Sequence, residues 1–521
     1  MELGARPSNG SRRQASGRRR VRRDSALLQP QRTALSTPSA SRLDPLTPDR
    51  RRDVAHYSDR LLEEARRGFR VLLVNPAPEE IVQGGWYRMP LLGLGYLAAY
   101  LREKGFSVGI VDAKFDRLGL DAVLARIKAF SPALLGVTAM THEVRRAAEI
   151  AAAAKRLLPD LKTVIGGPHA TAIPVETLDE FPSFDFVIAG EGEETLLELS
   201  DCLALGKGFA GIAGVSFRGH GGAAGSNPPR PWRQDIDSLP FPAWDLYGPS
   251  REYQLFSSRG CPYQCSFCMR VLGDRVRSRS VEGVVREFEW LVARYRPSEI
   301  SFSDEVFTLD EKRATAICDL LIAKGLHTTP WFANARVNCR SLALYRKMRE
   351  AGCVRVGVGI ESGNQEILDR VHKGITRENA REMIRLAKEA GLRTAAFFII
   401  GHPGETRDTI RQTIAFAREL NPTSVAFGVM VPYPGTEIAA MAARWEGGYR
   451  LRSHNWSDYD KYFGGALEMV DISRRELERW QVRAYLSFYV RNARLFSLVR
   501  FLSSRRKSVA YYLRRLLWKR A

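Results

Sequence analysis

From Phe69 onward the chain alternates short apolar runs with helix-like stretches, and that alternation restricts the fold more than any other feature. RVLLVNP (70–76) leads to LLGLGYLAAYLREKG (91–105) and then to FSVGIVDA (106–113). ALLGVTAM (133–140) precedes a helical pattern near 143–157, and LKTVIGG (161–167) follows. FDFVIAGEGEETLLEL (184–199) ends the series with a strand, a Gly-rich turn and a helix. Strands apolar at every position are covered on both faces, so the expected fold is α/β, with a parallel, doubly wound sheet. Ligands of such sheets sit beyond the carboxyl ends of the strands. The residues at those ends are Asn75-Pro76, Asp112, Thr138-Ala139-Met140, Gly166-Gly167 and Gly190-Glu191-Gly192-Glu193.

A second alternating series begins near residue 251, after a Gly- and Pro-rich stretch (219–250) that reads as an interdomain linker. EISFSDEVFT (299–308), TPWFANARVN (329–338), VRVGVGIESG (354–363), TAAFFIIGHPGET (394–406) and SVAFGVMVPYPGTEI (424–438) each join a strand to a polar or Gly-rich end. About six units of this kind predict a full or partial β/α barrel, with its site at the carboxyl ends of the strands. The expected division is a basic tail over 1–67, a sheet domain over 68–210, a linker over 211–250, a barrel over 251–442 and a helical, basic region over 443–521.

The net charge of +21 suggests nucleic acid until it is located. Residues 1–70 hold 17 Arg and 8 acids, and residues 481–521 hold 11 Lys and Arg with no acid. The body between them is therefore close to neutral, which counts against a basic groove built into the fold and against a nucleic-acid partner. The first ~65 residues, rich in Arg, Ser and Pro, read as disordered. No apolar run approaches the ~18 residues of a membrane span, and no secretory signal is evident. Scattered cysteines outside one cluster suit a reducing cytosol.

That cluster is SSRGCPYQCSFCMR (257–270), where Cys261, Cys265 and Cys268 fall within eight positions. Three thiolates on one loop suit a metal centre. Structural zinc takes four protein ligands, and no second CxxC or nearby His supplies the remainder, although a zinc knuckle or a chance cluster stays open. A 4Fe–4S cube held by three cysteines instead leaves one iron free for a ligand.

CxxxCxxC with an aromatic, Phe267, before the last cysteine resembles the signature of the radical S-adenosylmethionine (SAM) superfamily. The resemblance implies a 4Fe–4S cluster on Cys261, Cys265 and Cys268, with SAM on the open iron, cleaved by one electron to a 5′-deoxyadenosyl radical. It extends over roughly 250–440. SFSDEVFT resembles the segment that approaches the SAM amino group, offering Asp304 and Glu305, each of which is otherwise a cap or surface acid. Arg336 in NAR resembles the contact to the SAM carboxylate, a pairing that suits the guanidinium fork. GVGIESG resembles the strand that gives Glu361 and Ser362 to the ribose or methionine part. FFIIGHPGET resembles the GxIxGxPGET motif, with Gly401 and Gly404 shaping the turn beside the adenine.

The sheet domain ahead of this barrel resembles the cobalamin (B12) domain of the cobalamin-dependent radical SAM group. Thr138 and Met140 fall where that fold has Ser-x-Leu, Gly166 and Gly167 match its GG, and Glu191 stands at the last strand end. A ligand-free or differently liganded Rossmann-like domain is the alternative; a G-x-G-x-x-G is absent. Relatives outside the group carry Asp-x-His-x-x-Gly after the first strand, where this chain reads Asn75-Pro76-Ala77-Pro78-Glu79-Glu80. The expectation is base-off cobalamin with no protein imidazole below the cobalt, His142 and His169 being the alternatives near strand ends.

The resemblance implies an enzyme that methylates an unactivated carbon of a small-molecule or lipid substrate. Its alternative is cyclisation or rearrangement, as in anaerobic magnesium-protoporphyrin ester cyclases. RNA modification fits less well, because the related methylthiotransferases carry a second cysteine triad where this chain has only Cys202. A one-electron reductant of flavodoxin or ferredoxin type is implied. The basic, amphipathic C-terminus, with Leu495, Phe496, Leu498, Phe501, Leu502, Leu516, Leu517 and Trp518, suggests peripheral contact between a cytoplasmic protein and an anionic membrane.

Overall fold

The computed structural model describes residues 59–77, 89–219, 222–462, 464–492 and 494. Residues 1–58 of the expected basic tail and the apolar residues of 495–521 lie outside them; residues 59–67, expected to belong to that tail, are instead helical, and Arg66 Nε pairs with Asp201 at 2.7 Å.

The first five strands, β1 (Arg70–Asn75), β2 (Ser107–Asp112), β3 (Leu134–Thr138), β4 (Lys162–Gly166) and β5 (Phe186–Ile188), pair in parallel in the order β2-β1-β3-β4-β5. Val71, Leu73, Leu134 and Val164 pack into one helical layer, and Leu72, Val74, Leu135 and Ile165 into the other. Both faces are covered, which is why these runs are apolar throughout. The strand order reverses between β1 and β3, and the crevice beyond that switch point is where ligands of such sheets bind.

The sheet does not end where the linker was expected to begin. β6 (Val215–Arg218) and β7 (Ala224–Ser226) extend it antiparallel beyond β5. Their sequence reads as linker because two very short strands flank a Gly-rich turn and only Val215 and Ser216 are fully buried.

The second sheet consists of β8 (Glu252–Leu255), β11 (Glu299–Phe302), β12 (Trp331–Ala335), β13 (Cys353–Glu361), β14 (Arg393–Ile400) and β15 (Ser424–Val429). β9 (Ser258–Arg259) and β10 (Arg277–Ser278) form a separate antiparallel pair. The six parallel strands run in the order β15-β14-β13-β12-β11-β8, and β8 and β15 do not pair, so the barrel is partial. Its helices start where a side chain can replace a missing backbone partner. Ser280, Asp310, Ser341, Asn364, Thr376 and Thr406 each accept a hydrogen bond from the amide three residues on.

Beyond residue 443 the chain is less helical than expected. β16 (Tyr449–Leu451) pairs antiparallel with β17 (Leu467–Met469), and the segment between them reaches the first domain. Trp456 Nε1 donates to Glu180 at 2.6 Å, and its ring meets His169 edge-on at 4.9 Å. The helix Arg474–Arg491 then covers β15: Gln481 Nε2 donates to the Phe427 carbonyl at 2.6 Å, and the Tyr485 hydroxyl accepts from Phe427 N at 3.0 Å. Among the described residues no helix is long and apolar enough to cross a membrane.

Candidate functional site

The cysteines sit on residues 260–276, a loop whose two stems are β9 and β10. Gly260 has φ +95°, and a Cβ there would collide with the Arg275 carbonyl, so the turn into Cys261 requires glycine. Cys261 N donates to the Gly273 carbonyl at 3.2 Å, Cys268 N to the Cys265 carbonyl at 3.0 Å and Ser266 N to the Val371 carbonyl at 3.1 Å. The loop is thereby fixed to itself and to the barrel. All three thiols are free. Among the described residues no three His, Cys, Asp or Glu are grouped to hold a single metal ion. Three thiols on one loop suit three separate corners of a cluster. Burial raises the pKa of the Cys261 and Cys268 thiols; Arg336 acts in the opposite sense on the first and Lys373 on the second. These two cations offset the charge that a thiolate-bound cluster would bring.

Around this loop, several buried polar atoms lack a partner. Glu305, the residue after Asp304, is half-buried next to Gly260, and its Oε2 makes no hydrogen bond. Arg336 lies over the Tyr263 ring at 3.4 Å and donates through Nη2 to the Lys373 carbonyl, while its Nε stays unpaired. Both nitrogens of buried His402 are likewise unpaired, and its ring centre lies 6.0 Å from that of Phe267. A carboxylate and a guanidinium with spare hydrogen-bonding capacity fit the amino and carboxylate groups of SAM.

The other sequence-predicted SAM residues are placed differently. Asp304 is neither a cap nor a surface acid. It is fully buried and accepts from Ser257 N at 2.7 Å, Ser257 Oγ at 2.5 Å and Ser258 Oγ at 2.8 Å, bracing the approach to the cysteine loop. Glu361, at φ +69° where β13 slips register against β14, pairs with Lys373 Nζ at 2.7 Å. That ammonium lies 5.8 Å from the Phe267 ring centre, so the pair stands beside the cluster loop. Ser362 turns away, to Thr413 Oγ1 at 3.2 Å. Gly401 and Gly404 shape the turn after β14, and Glu405 closes it, accepting from Gly401 N at 2.5 Å and His402 N at 3.1 Å.

A cavity of about 380 Å³ lies beyond the carboxyl ends of β1, β3, β4 and β5. All five sequence-predicted cobalamin residues line it: Thr138, Met140, Gly166, Gly167 and Glu191. Gly167 has φ +91°, and a Cβ there would lie 2.6 Å from Thr138 Oγ1, filling the space between two strand ends. This glycine-floored, mostly apolar crevice at the switch point fits the nucleotide tail of cobalamin. His142 and His169 do not line it. His142 Nε2 faces Glu143 at 3.4 Å, and buried His169 packs on Trp456. The loop after β1 is outside the described residues from Pro78 to Arg88.

Glu191 carries a second duty. Its Oε1 accepts from Arg259 Nη1 at 2.9 Å and its Oε2 from Arg277 Nη1 at 2.6 Å, holding its carboxyl below the usual range against the opposing effect of burial. Glu193 Oε1 takes the other Arg259 nitrogen at 2.8 Å. Sequence reasoning passed over Arg259, Arg277, Lys373 and Glu405. The one available signal was Arg259 itself, a charge two residues ahead of the first cysteine.

Two family models match the chain: B12 binding domain over residues 87–200 and Radical SAM superfamily over 255–417. An uncharacterized methyltransferase of Pyrococcus horikoshii is 36% identical over 436 residues, covering 81% of this chain and 93% of the relative. An anaerobic magnesium-protoporphyrin IX monomethyl ester cyclase of Rubrivivax gelatinosus is 31% identical over 388 residues, covering 71% and 69%. Among solved structures, the radical S-adenosylmethionine methyltransferase TsrM from Kitasatospora setae, with cobalamin and a 4Fe–4S cluster bound, gives a TM-score of 0.65 at 20% identity, covering 81% and 88%. At that identity the likeness is one of fold.

Glu405 generates a pH prediction. Complete burial, only partly countered by its two backbone donors, pushes its carboxyl up to about 7 from the ordinary 4.5. The folded protein therefore keeps a proton that the unfolded chain releases. Stability from this group is complete below about pH 4.5 and is lost as pH rises through about 7. Glu405→Gln keeps one acceptor oxygen and removes the titration. Chemical denaturation across this range should show up to about 3 kcal/mol less pH-dependent loss in the variant. Parallel wild-type and variant profiles would contradict the assignment.

Proposed function

The chain belongs to the cobalamin-binding radical SAM enzymes, and from that membership we propose that it is a methyltransferase acting on an unactivated carbon of a small-molecule or lipid substrate. The observation that carries this reading is the lining of the β1/β3 cavity. Besides its cobalamin-domain residues, it is walled by Arg259, Val271 and Leu272 from the cysteine loop. Both cofactor sites thus open onto shared residues, as transfer from one to a radical made at the other requires.

When bound, SAM on the cluster supplies one-electron bond cleavage and cobalamin supplies a transferable methyl group. The protein's part is positional. Glu305 would offer its unpaired Oε2 to the SAM amino group, and Arg336 would offer its unpaired Nε to the carboxylate. The turn Gly401–Gly404 and half-buried Phe267 bound the adenine side. Thr138, Gly166 and Gly167 floor the tail slot, and Asp304 fixes the strand end from which the cysteine loop departs. A one-electron donor of flavodoxin or ferredoxin type completes the scheme.

Lipid contact has a separate support. On the helix Arg474–Arg491, Val482, Leu486 and Val490 stand four residues apart and are 37%, 46% and 51% exposed. The 11 Lys and Arg of residues 481–521, with no acid, give the same end of the chain its basic charge. An apolar stripe followed by cationic sequence suits an anionic bilayer surface.

Product counting tests the chemistry. After anaerobic reconstitution with iron, sulfide and cobalamin, methylation yields about one S-adenosylhomocysteine and one 5′-deoxyadenosine per methylated product. Deoxyadenosine without S-adenosylhomocysteine would overturn methyl transfer in favour of cyclisation or rearrangement. For the membrane contact, the protein should sediment with anionic but not zwitterionic vesicles. Binding that persists unchanged after deletion of residues 490–521 would refute this use of the C-terminus.

A further inference from the structure

Arg259 is separated from Cys261 by one residue, and its side chain is only 6% exposed. A guanidinium that deep requires compensating charge. Its charged partners are in the other domain, Glu191 at 2.9 Å and Glu193 at 2.8 Å, and it lies over the Tyr96 ring of that domain at 5.2 Å and the Phe256 ring of its own at 5.7 Å. Arg277 starts the opposite stem of the same loop and donates at 2.6 Å to the other oxygen of Glu191, which also accepts from Arg233 N at 3.1 Å. Arg277 Nη2 also donates to the Leu272 carbonyl, within the loop, at 2.6 Å. One carboxylate of the sheet domain therefore holds both stems of the cysteine loop. Glu191, Glu193, Arg259 and Leu272 all line the cavity, so an occupant of that cavity touches the staple and the loop together.

We propose that Arg259 is a positioning residue through which cobalamin in the cavity and the iron–sulfur cluster on the loop stabilise each other's binding. The inference rests on the reading of the cavity as the cobalamin site. Cobalamin packing on Glu191 and Glu193 fixes the two carboxylates that orient Arg259, and Arg259 fixes the backbone that leads into Cys261. Linkage makes the effect reciprocal: a cluster that orders the loop also orders the cavity wall. A salt bridge serving only to join the domains would shift both affinities without linking them.

The test is the ratio of hydroxocobalamin dissociation constants for the full chain with its cluster removed by chelation and with its cluster reconstituted. Wild type should bind about tenfold more tightly when the cluster is present, a usual size for coupling between sites. In Arg259→Met the ratio should fall to near one while cobalamin still binds. Arg259→Lys should not restore it, because an ammonium cannot span both carboxylates in the fork geometry. The reciprocal readout is the rate of iron loss to a chelator, slowed by cobalamin in wild type and unaffected by it in Arg259→Met. Should Arg259→Met fail to fold, Glu193→Gln, which keeps an acceptor, should lower the ratio part-way. A wild-type ratio near one, or an undiminished ratio in either variant, overturns the inference while leaving the cavity assignment intact. Absence of any cobalamin binding by wild type overturns the assignment and the inference with it.

Discussion

Two arginines, Arg259 and Arg277, reach from the stems of the cysteine loop to one carboxylate of the other domain, Glu191. The rest of the site depends on that shared contact. The three side chains are between 4% and 8% exposed, so each charge has left most of its water. Such an arrangement adds little net stability over an apolar contact of the same shape. Removing Glu191 would leave Arg277 buried without its carboxylate and Arg259 with Glu193 alone, at a cost of about 3–5 kcal/mol. What the charges provide is direction, since fork-shaped donors fix the angle and register at which two sheets meet.

Direction matters because neither domain is sufficient alone. The first sheet has its crevice at the switch point between β1 and β3, and the partial barrel has its cysteine loop beyond β8. Bringing the crevice to the loop places Val271 and Leu272 in the wall of the cavity. A second tie, from Trp456 to Glu180 and His169, joins the segment between β16 and β17 to the first domain. Glu305 Oε2, Arg336 Nε and both His402 ring nitrogens lack partners around the loop. Buried polar atoms without partners are costly, and those beside the three thiols suit a polar ligand.

Much of this was legible in the sequence because local chemistry dictated it. The apolar strands and their order of appearance predicted both sheets, and the cysteine spacing predicted the loop. Thr138, Met140, Gly166, Gly167 and Glu191 were named from strand-end positions, and all five line one cavity. Legibility failed where the deciding partner was distant in the chain. Asp304 looks like a ligand until Ser257 and Ser258 fold onto it, and Ser362 until Thr413 captures it. Arg259 and Glu191 are 68 residues apart, and no local pattern pairs them. β6 and β7 were hidden for a different reason: two strands of four and three residues around glycine carry too little periodicity to be told from linker.

The central claim is that the two cofactor sites face a common space built from both domains. Electron paramagnetic resonance of anaerobic protein carrying both a reduced cluster and Co(II) cobalamin tests it most directly. Two unpaired spins held across one cleft relax each other, so the account predicts signals that are broadened and relax faster than those of protein carrying either centre alone. A spectrum equal to the sum of the two separate spectra, with unchanged relaxation, would contradict it.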